Sequence, residues 1–517
     1  MMMTPGQLID YLKSHCKQKW KIAFISAFLI GMLVHMSVLL SDIPNHDGLD
    51  SMYFNQNMIT SGRWFLMVAC GFSSYFTIPW VIGVLGLFFL GLTAVVLTEL
   101  LDIQDNVTVV LISGLLTTFP ALTSTFAYVY TLDGYMLAML LSVLAVLLCK
   151  KYGKGFIPGG LCLGFSLGIY QAYLPFAMIL CMYMVICICL ENLSIKEKAK
   201  QIFRFLYMGM IGVAFYYIML QILLKIQGKQ LASYQGINGA DNGNIGLLQK
   251  IYTAYRDFAA FLIKGKILFN DVISFGAVLL LIASVLLCLF GLCKKRKLWK
   301  KWQFFVIIGL LLCSLPMVSN YILIVSPMVN YHLLMRYHFV LFLILGIAFV
   351  DKYLEKGKGK WIVVTNWCAV LGVGILVFHF AVTDNIAYSN LQKKYEKTYA
   401  YCMRLLDRIE QTEGYYQGIP IAMIGVVGDE QFPTTDISGK VTDHMIGMNG
   451  DSLLYTGENY EKFMKHYLGA TLNILPPEAM ETFYYSEEYQ AMDSFPGQNS
   501  VKIVDGILYI KTENTQK

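Results

Sequence analysis

Charge is scarce in this chain. Only 14% of its 517 residues are Asp, Glu, Lys or Arg, against 56% hydrophobic residues and a mean hydropathy of +0.56. That balance excludes a soluble globular protein and describes one that crosses a membrane many times. A net charge of +6 would suggest a nucleic-acid partner in a soluble chain. Here the basic residues stand in short clusters between apolar runs, which is the pattern that orients membrane helices, so no nucleic acid is implied. The twelve cysteines lie mostly in apolar runs or beside lysine clusters, as Cys181, Cys187 and Cys189 do, and only Cys402 falls in the polar tail. No disulfide framework is expected. A Gly-rich nucleotide loop, a P-loop, an HExxH zinc signature and an internal repeat are also missing. The first apolar run lacks a small-residue cleavage site, so it reads as a retained helix and not as a signal peptide.

What is present in place of charge is a series of long apolar runs. A 19-residue window gives about eleven spans, near 21–40, 80–101, 107–125, 133–149, 156–171, 173–190, 205–226, 272–293, 303–325, 338–350 and 361–382. With the N-terminus inside, alternate connections hold twenty-one basic residues, including Lys13, Lys150, Arg204, Lys352 and the run KKRKLWKK at 294–301. The opposite connections hold seven: Arg63, Lys229, Lys250, Arg256, Lys264, Lys266 and Arg336. Positive residues mark the cytoplasmic side. An odd number of spans then places everything after Thr383 outside a bacterial cytoplasmic membrane. The expected division is a transmembrane domain over 1–382 and an extracytoplasmic α/β domain over 383–517. In the tail, LQKKYEKTYAYCMRLLDRIEQ reads as an amphipathic helix, IPIAMIGVVG as a buried strand, and VKIVDGILYIKT as a hairpin around Asp505 and Gly506.

Four polar features fall at outer ends of spans. The first is NHDGLD, just beyond the first span, where Asp47 and Asp50 meet the membrane surface; carboxylates there are either loop solvation or the working end of an enzyme acting at the bilayer face. Leu49, Met52, Tyr53 and Ile59 follow with near-helical spacing, which predicts an interfacial helix in the loop 41–79, ending in SGRW with Arg63 and the expected interfacial anchor Trp64. The second is Asp133 at the start of a span, a helix N-cap or a functional carboxylate. The third is GIYQAYLP, where aromatic-belt logic accounts for Tyr170 but not for Gln171. The fourth is YHLLMRYH with His332, Arg336 and His338. Arginines contradict the charge bias of outer loops; they either snorkel to the headgroups or hold a lipid phosphate through paired hydrogen bonds. His35 and His379 read as packing or interfacial residues.

At these residues the sequence resembles the GtrII-like glucosyltransferases, integral membrane sugar transferases of the broad GT-C architecture. The resemblance rests on the aspartate in the first outer loop, on Gly62-Arg63-Trp64, on LDGYMLAM with Asp133, and on SLGIYQAYL with Tyr170 and Gln171. It spans most of the membrane region and weakens in the tail. It implies an undecaprenyl-phosphate sugar as donor, commonly glucose, work on the extracytoplasmic face, and a first-loop acidic residue as base. In this chain that residue is Asp47 or Asp50, which stand three apart where a tighter acidic pair is expected.

The inventory agrees with such chemistry by itself. Glycosyl transfer from a lipid phosphate needs a base for the acceptor hydroxyl and cations for the leaving phosphate; in-line attack then inverts the product without a covalent intermediate. Arg63 and Arg336 would bind the donor phosphate, with Asp133, Tyr170, Gln171, His332 and His338 around the sugar. A divalent metal on Asp47, Asp50 and Asp133 would suit hard oxygen ligands, but arginines at the phosphate make it unnecessary. The acceptor would be a cell-surface glycan, a wall polysaccharide or a lipopolysaccharide O-antigen. The rival reading is a transporter or flippase of lipid-linked glycans, which would place ionisable residues at the bilayer midplane and show related halves; a glycan polymerase or ligase would share the outer carboxylate and arginines.

Overall fold

The computed structural model describes residues 4–44, 46–50, 55–232, 245–265, 267, 271–354, 359–424, 442, 445, 454 and 456–512. Within them the chain forms two compact units: Met1–Leu40 with Asn55–Asn385, and Ser41–Phe54 with Ile386–Lys517.

The first unit is helical. After α1 (Pro5–His15), the helices long and apolar enough to cross a membrane begin with α2 (Gln18–Leu39) and α5 (Pro79–Leu100). Between them lie α3 (His46–Asp50), which belongs to the second unit, and the short α4 (Leu66–Gly71). α6 (Asn106–Thr118) and α7 (Pro120–Phe126) form an apolar pair bent by 46°, the geometry of a broken span or a re-entrant loop. Pro120 has no N–H to give and holds Phe119 in an extended conformation, so the helix must stop and restart there. α8 (Leu132–Lys151), α9 (Phe156–Ile169), α10 (Leu174–Leu190) and α11 (Ile195–Gln227) follow, α11 opened by a capping box between Ser194 and Glu197. α12 (Leu247–Lys264) is amphipathic and precedes α13 (Val272–Arg296), α14 (Trp302–Ser319), the short α15 (Tyr321–Val325), α16 (Val340–Tyr353) and α17 (Lys360–Glu410). Among the described residues nine helices pass as spans, or ten with the bent pair. Of the eleven expected, 107–125 is the bent pair and 156–171 is the 14-residue α9, so hydropathy alone overstates the number of straight crossings.

Hydroxyls join the spans where apolar packing has no preferred register: Ser142 donates to the Tyr173 carbonyl (3.0 Å) and Ser166 to that of Ala138 (2.7 Å). The lysine-rich ends are tied by ion pairs. Glu99 receives Lys17 (2.7 Å) and Lys151 (3.5 Å), and Asp102 receives Lys150 (2.7 Å) and Lys352 (2.9 Å). Asp351 accepts the backbone N–H groups of Gln104 (2.6 Å) and Asp105 (3.0 Å).

The second unit holds a four-stranded sheet in the order β2-β1-β4-β3, from β1 (Pro420–Ile424), β2 (Asn473–Ile474), β3 (Val501–Val504) and β4 (Ile507–Lys511). β1 runs parallel to β2 and β4; β3 and β4 form the expected hairpin. Its turn places Asp505 at φ +50 and Gly506 at φ +78, the left-handed pair that matches strand twist. Helices α18 (Gly457–Phe463), α19 (Pro477–Tyr484) and α20 (Glu487–Gln490) complete the unit, and α3 packs on α18. Ala422, Tyr489, Met492 and Tyr509 form a core. Buried Lys511 donates to the carbonyls of Tyr489, Gln490 and Met492, satisfying the end of α20.

Two local expectations are corrected. The loop 41–79 has no continuous interfacial helix: Leu49 is buried in the second unit, Ile59 is buried in the first, and Met52 and Tyr53 lie outside the described residues. Trp64 is not an exposed interfacial anchor. It is buried with Ile59, Leu220 and Leu224 among Phe65, Phe165 and Phe215, because a ring bordered by apolar helix faces gains more from full burial than from a half-wet position.

Candidate active site at the lysine-poor ends of the spans

α8 carries Asp133 in its first turn and Lys150 in its last. At 1.5 Å per residue these are about 26 Å apart, so the groups described next lie at the opposite end of the bundle from the lysine-rich ties.

The segment Ser61-Gly62-Arg63-Trp64 is fastened to the turn between α9 and α10. A one-turn helix (Ile59–Ser61) is capped by Gly62 at φ +76. A Cβ there would meet the Tyr216 hydroxyl at 2.6 Å and the Gln171 amide nitrogen at 2.7 Å, so glycine is required both by backbone and by space. Gln171 donates to the Ser61 carbonyl (3.3 Å) and to the Tyr216 hydroxyl (3.0 Å), which in turn donates to the Gly62 carbonyl (3.1 Å). The Phe65 N–H donates to the Gly168 carbonyl (2.8 Å). These bonds explain Gln171, which belt logic left unexplained. They also set the arginine: its guanidinium lies 4.6 Å over the Tyr170 ring and donates to the Tyr135 hydroxyl (3.2 Å). Tyr135 and Tyr170 stack at 4.4 Å, making a tyrosine platform for Arg63.

Tyr321 donates to the Gln171 carbonyl and links this cluster to the second arginine. Arg336 sits in the turn Leu333–Phe339 before α16, 8% exposed. Both prongs of its fork engage Asp257 on α12, at 2.6 and 3.0 Å, and its plane lies 3.9 Å over Tyr331 and 4.7 Å from the Phe261 ring centre. Asn320 donates to Asp257 (2.9 Å) and to the Ala254 carbonyl (2.9 Å). Neither snorkelling nor a bare phosphate ligand anticipates this ion pair: Asp257 lies on α12, an amphipathic helix that falls between the apolar runs and has no hydropathy signal of its own. Tyr170 joins the two arginine clusters. Burial raises its hydroxyl well above the ordinary range, Tyr135 adds to this and Arg63 opposes it, with Tyr128 and Tyr331 also acting on it.

The remaining expected residues fall as follows. Asp133 is the second residue of α8, not its N-cap, which is Thr131; it is 1% exposed and accepts the Gly134 N–H (2.8 Å). Beside it, burial and then the Asp133 carboxylate push the Cys70 thiol well above its usual range. His338 is fully buried against Phe339, and His332 is half-buried at the start of the same turn. His35 packs on Phe126 and contacts the Thr117 carbonyl (2.8 Å), while His379 pairs with Asp271 (2.7 Å), the N-cap of α13. Asp47 is exposed on α3 in the second unit; the side chain of Asp50 lies outside the described residues. Asp384 had no place in the sequence reading. It is fully buried, neither carboxylate oxygen finds a hydrogen bond of good geometry, and the Thr123 hydroxyl of α7 lies beside it. Its signal in the sequence is an aspartate two residues past the last apolar run, at 361–382. Among the described residues no group of three or more His, Cys, Asp or Glu side chains could hold a metal ion.

The arrangement presents a cation on an aromatic platform, a second arginine paired with Asp257, and tyrosine hydroxyls between them, which suits an anionic, hydroxyl-rich ligand. Comparisons with curated proteins and with solved structures find no match. The model of the family Glucosyl transferase GtrII matches residues 36–350, which include both arginines and the GIYQ turn. With that match over more than half of its length, the chain belongs to the GtrII glucosyl transferase family.

Proposed function

We propose that this membrane glucosyltransferase takes glucose from a polyprenyl-phosphate donor, undecaprenyl phosphate in a bacterial membrane, and passes it with inversion to a cell-surface glycan on the extracytoplasmic side. The observation that supports this most directly is Arg63. It is an arginine at the lysine-poor end of the spans, braced by the Tyr135 hydroxyl and the Tyr170 ring. Arg63 takes the donor phosphate; Arg336 shares it through the donor capacity that Asp257 leaves. Tyr170, Gln171 and His332 border the sugar, while buried Asp133 and His338 hold the turns that carry them. Asp47 removes the acceptor hydroxyl's proton as the glycosidic bond to phosphate breaks, with Asp50 as the fallback. The phosphate leaves with the charge, and arginine stabilises it where it gathers.

The test is transfer by the purified protein in liposomes supplied with polyprenyl-phosphate glucose. Arg63→Lys should raise the donor concentration needed, because a point charge cannot reproduce the guanidinium fork or its stacking on Tyr170. Asp47→Asn should lose transfer by about 10²-fold or more while the protein still accumulates and binds donor. Near-normal turnover by Asp47→Asn removes that residue from the mechanism, and a severe defect confined to Asp50→Asn moves the role there. Wild-type donor dependence in Arg63→Lys overturns the phosphate assignment. Transfer directly from a nucleotide sugar overturns the donor class.

A further inference from the structure

At the end of the bundle opposite the candidate active site, a cavity of about 510 Å³ lies between α13, α16 and α17. Its size is that of a ligand pocket. Lys295, Arg296 and Lys352 line it together with Leu287, Phe290 and Ile362. Basic residues at the last turns of helices have an ordinary explanation, since they offset the helix dipole and fix orientation. That explanation does not call for a cavity beside them, nor for apolar walls running from the cations along the spans.

Among the described residues, the cations at the cavity are not matched one for one by carboxylates. Lys352 shares Asp102 with Lys150, so one carboxylate serves two lysines. Arg296 donates to the Leu190 carbonyl and faces the Tyr353 ring, which Glu191 also influences, and among the described residues it forms no ion pair. The walls are not those of a site for a water-soluble anion: Phe290 is 69% exposed and Trp361, also lining the cavity, 79% exposed. Large apolar side chains left bare beside a span are covered by acyl chains, and basic pockets between membrane helices suit anionic headgroups.

We propose that this cavity holds an anionic diacyl phospholipid, its phosphate at Arg296 and Lys295 and one acyl chain along Phe290 and Ile362. Charge selects the headgroup and the wall selects the chain. The site is separate from the one assigned to the sugar donor, and it stands or falls independently of it.

Two readouts on the purified full-length protein test this. The first is its thermal unfolding midpoint in detergent with added phosphatidylglycerol, phosphatidylcholine or inorganic phosphate. The second is quenching of Trp361 by phosphatidylglycerol with brominated acyl chains, taken as the difference from Trp361→Phe. Phosphatidylglycerol should raise the midpoint and quench Trp361, while phosphatidylcholine and inorganic phosphate should do neither. Replacing Arg296 and Lys295 together by Gln should weaken both effects at least tenfold in lipid concentration. Should that variant fail to fold, Gly291→Leu serves alone: a Cβ at Gly291, which also lines the cavity, meets nothing within 4 Å, so the substitution starts into open space. It should abolish the lipid response and leave the midpoint in phosphatidylcholine unchanged. An unaltered phosphatidylglycerol response in Gly291→Leu, an equal response to phosphatidylcholine, or a full response to inorganic phosphate would each overturn the proposal.

Discussion

At the scale of residues, two arginines that look alike in sequence have different partners. Arg336 is committed to Asp257 by a two-pronged ion pair with little exposure, so removing it strands a carboxylate. Breaking such a pair costs about 3–5 kcal/mol, and Arg336→Ala should lower stability by that order in a denaturation series, with Asp257→Ala close behind. Replacing both with apolar residues of similar volume should cost much less. Equal losses in the single and double variants would show that the pair does not act as a unit. Gly62→Ala makes the complementary case. It strains a backbone at φ +76 and pushes into Tyr216 and Gln171, so transfer should fall by at least tenfold while the spans still insert; wild-type turnover would show that the brace beneath Arg63 is dispensable.

At the scale of elements, α17 shows how a membrane helix can exceed its membrane. Its 51 residues make about 77 Å, against a hydrocarbon core of about 30 Å. Beyond the span its buried residues Tyr388, Leu391, Thr398, Cys402, Leu405 and Ile409 recur at helical spacing and pack into the second unit. The hairpin of β3 and β4 depends on its turn. Gly506→Val should weaken it by more than about 1 kcal/mol, since a β-branched residue resists φ +78. Faster amide hydrogen exchange across Ile507–Lys511 would report this, and unchanged exchange would count against the turn as the controlling feature. Asp271 begins α13 with a capping box and also pairs with His379. Asp271→Ala should therefore cost at least the ~1 kcal/mol of an ordinary N-cap, read from the unfolding midpoint.

At the scale of the whole molecule, carboxylates at the lysine-rich end make the bundle acid-sensitive. Burial works to raise the Asp102 carboxyl, but hydrogen bonds from Lys150 and Lys352 outweigh it and hold the group below its ordinary value. A carboxylate whose folded pKa is depressed contributes stability above the unfolded value, about 3.9, and loses it as pH falls through the folded one. The unfolding midpoint should thus decline as pH drops from about 5 toward 3, and Asp102→Asn should reduce the steepness of that decline. An identical pH profile in the variant would remove Asp102 from the effect. Asn suits the site because Asp102 has φ +55, where asparagine is tolerated.

Composition and periodicity were enough for the class of this protein and for much of its local structure. Scarce charge and long apolar runs can be accommodated only by membrane helices, and the Asp505-Gly506 turn can hardly be read in any other way; both are short-range signals. The same holds for the helix starts expected near 133 and 173, which fall at Leu132 and Leu174. Tertiary structure decided what depends on distant partners. Arg336 meets Asp257 79 positions away, Gln171 meets Ser61 110 positions away, and Trp64 is buried by α9 and α11 instead of resting at an interface. It also decided that 41–54 belongs with the tail while 55–385 belongs with the first span. Hydropathy measures how each segment partitions between water and lipid, and has no term for which polar group finds which. A buried ion pair or an amide brace is settled only when the helices that carry the two halves come together.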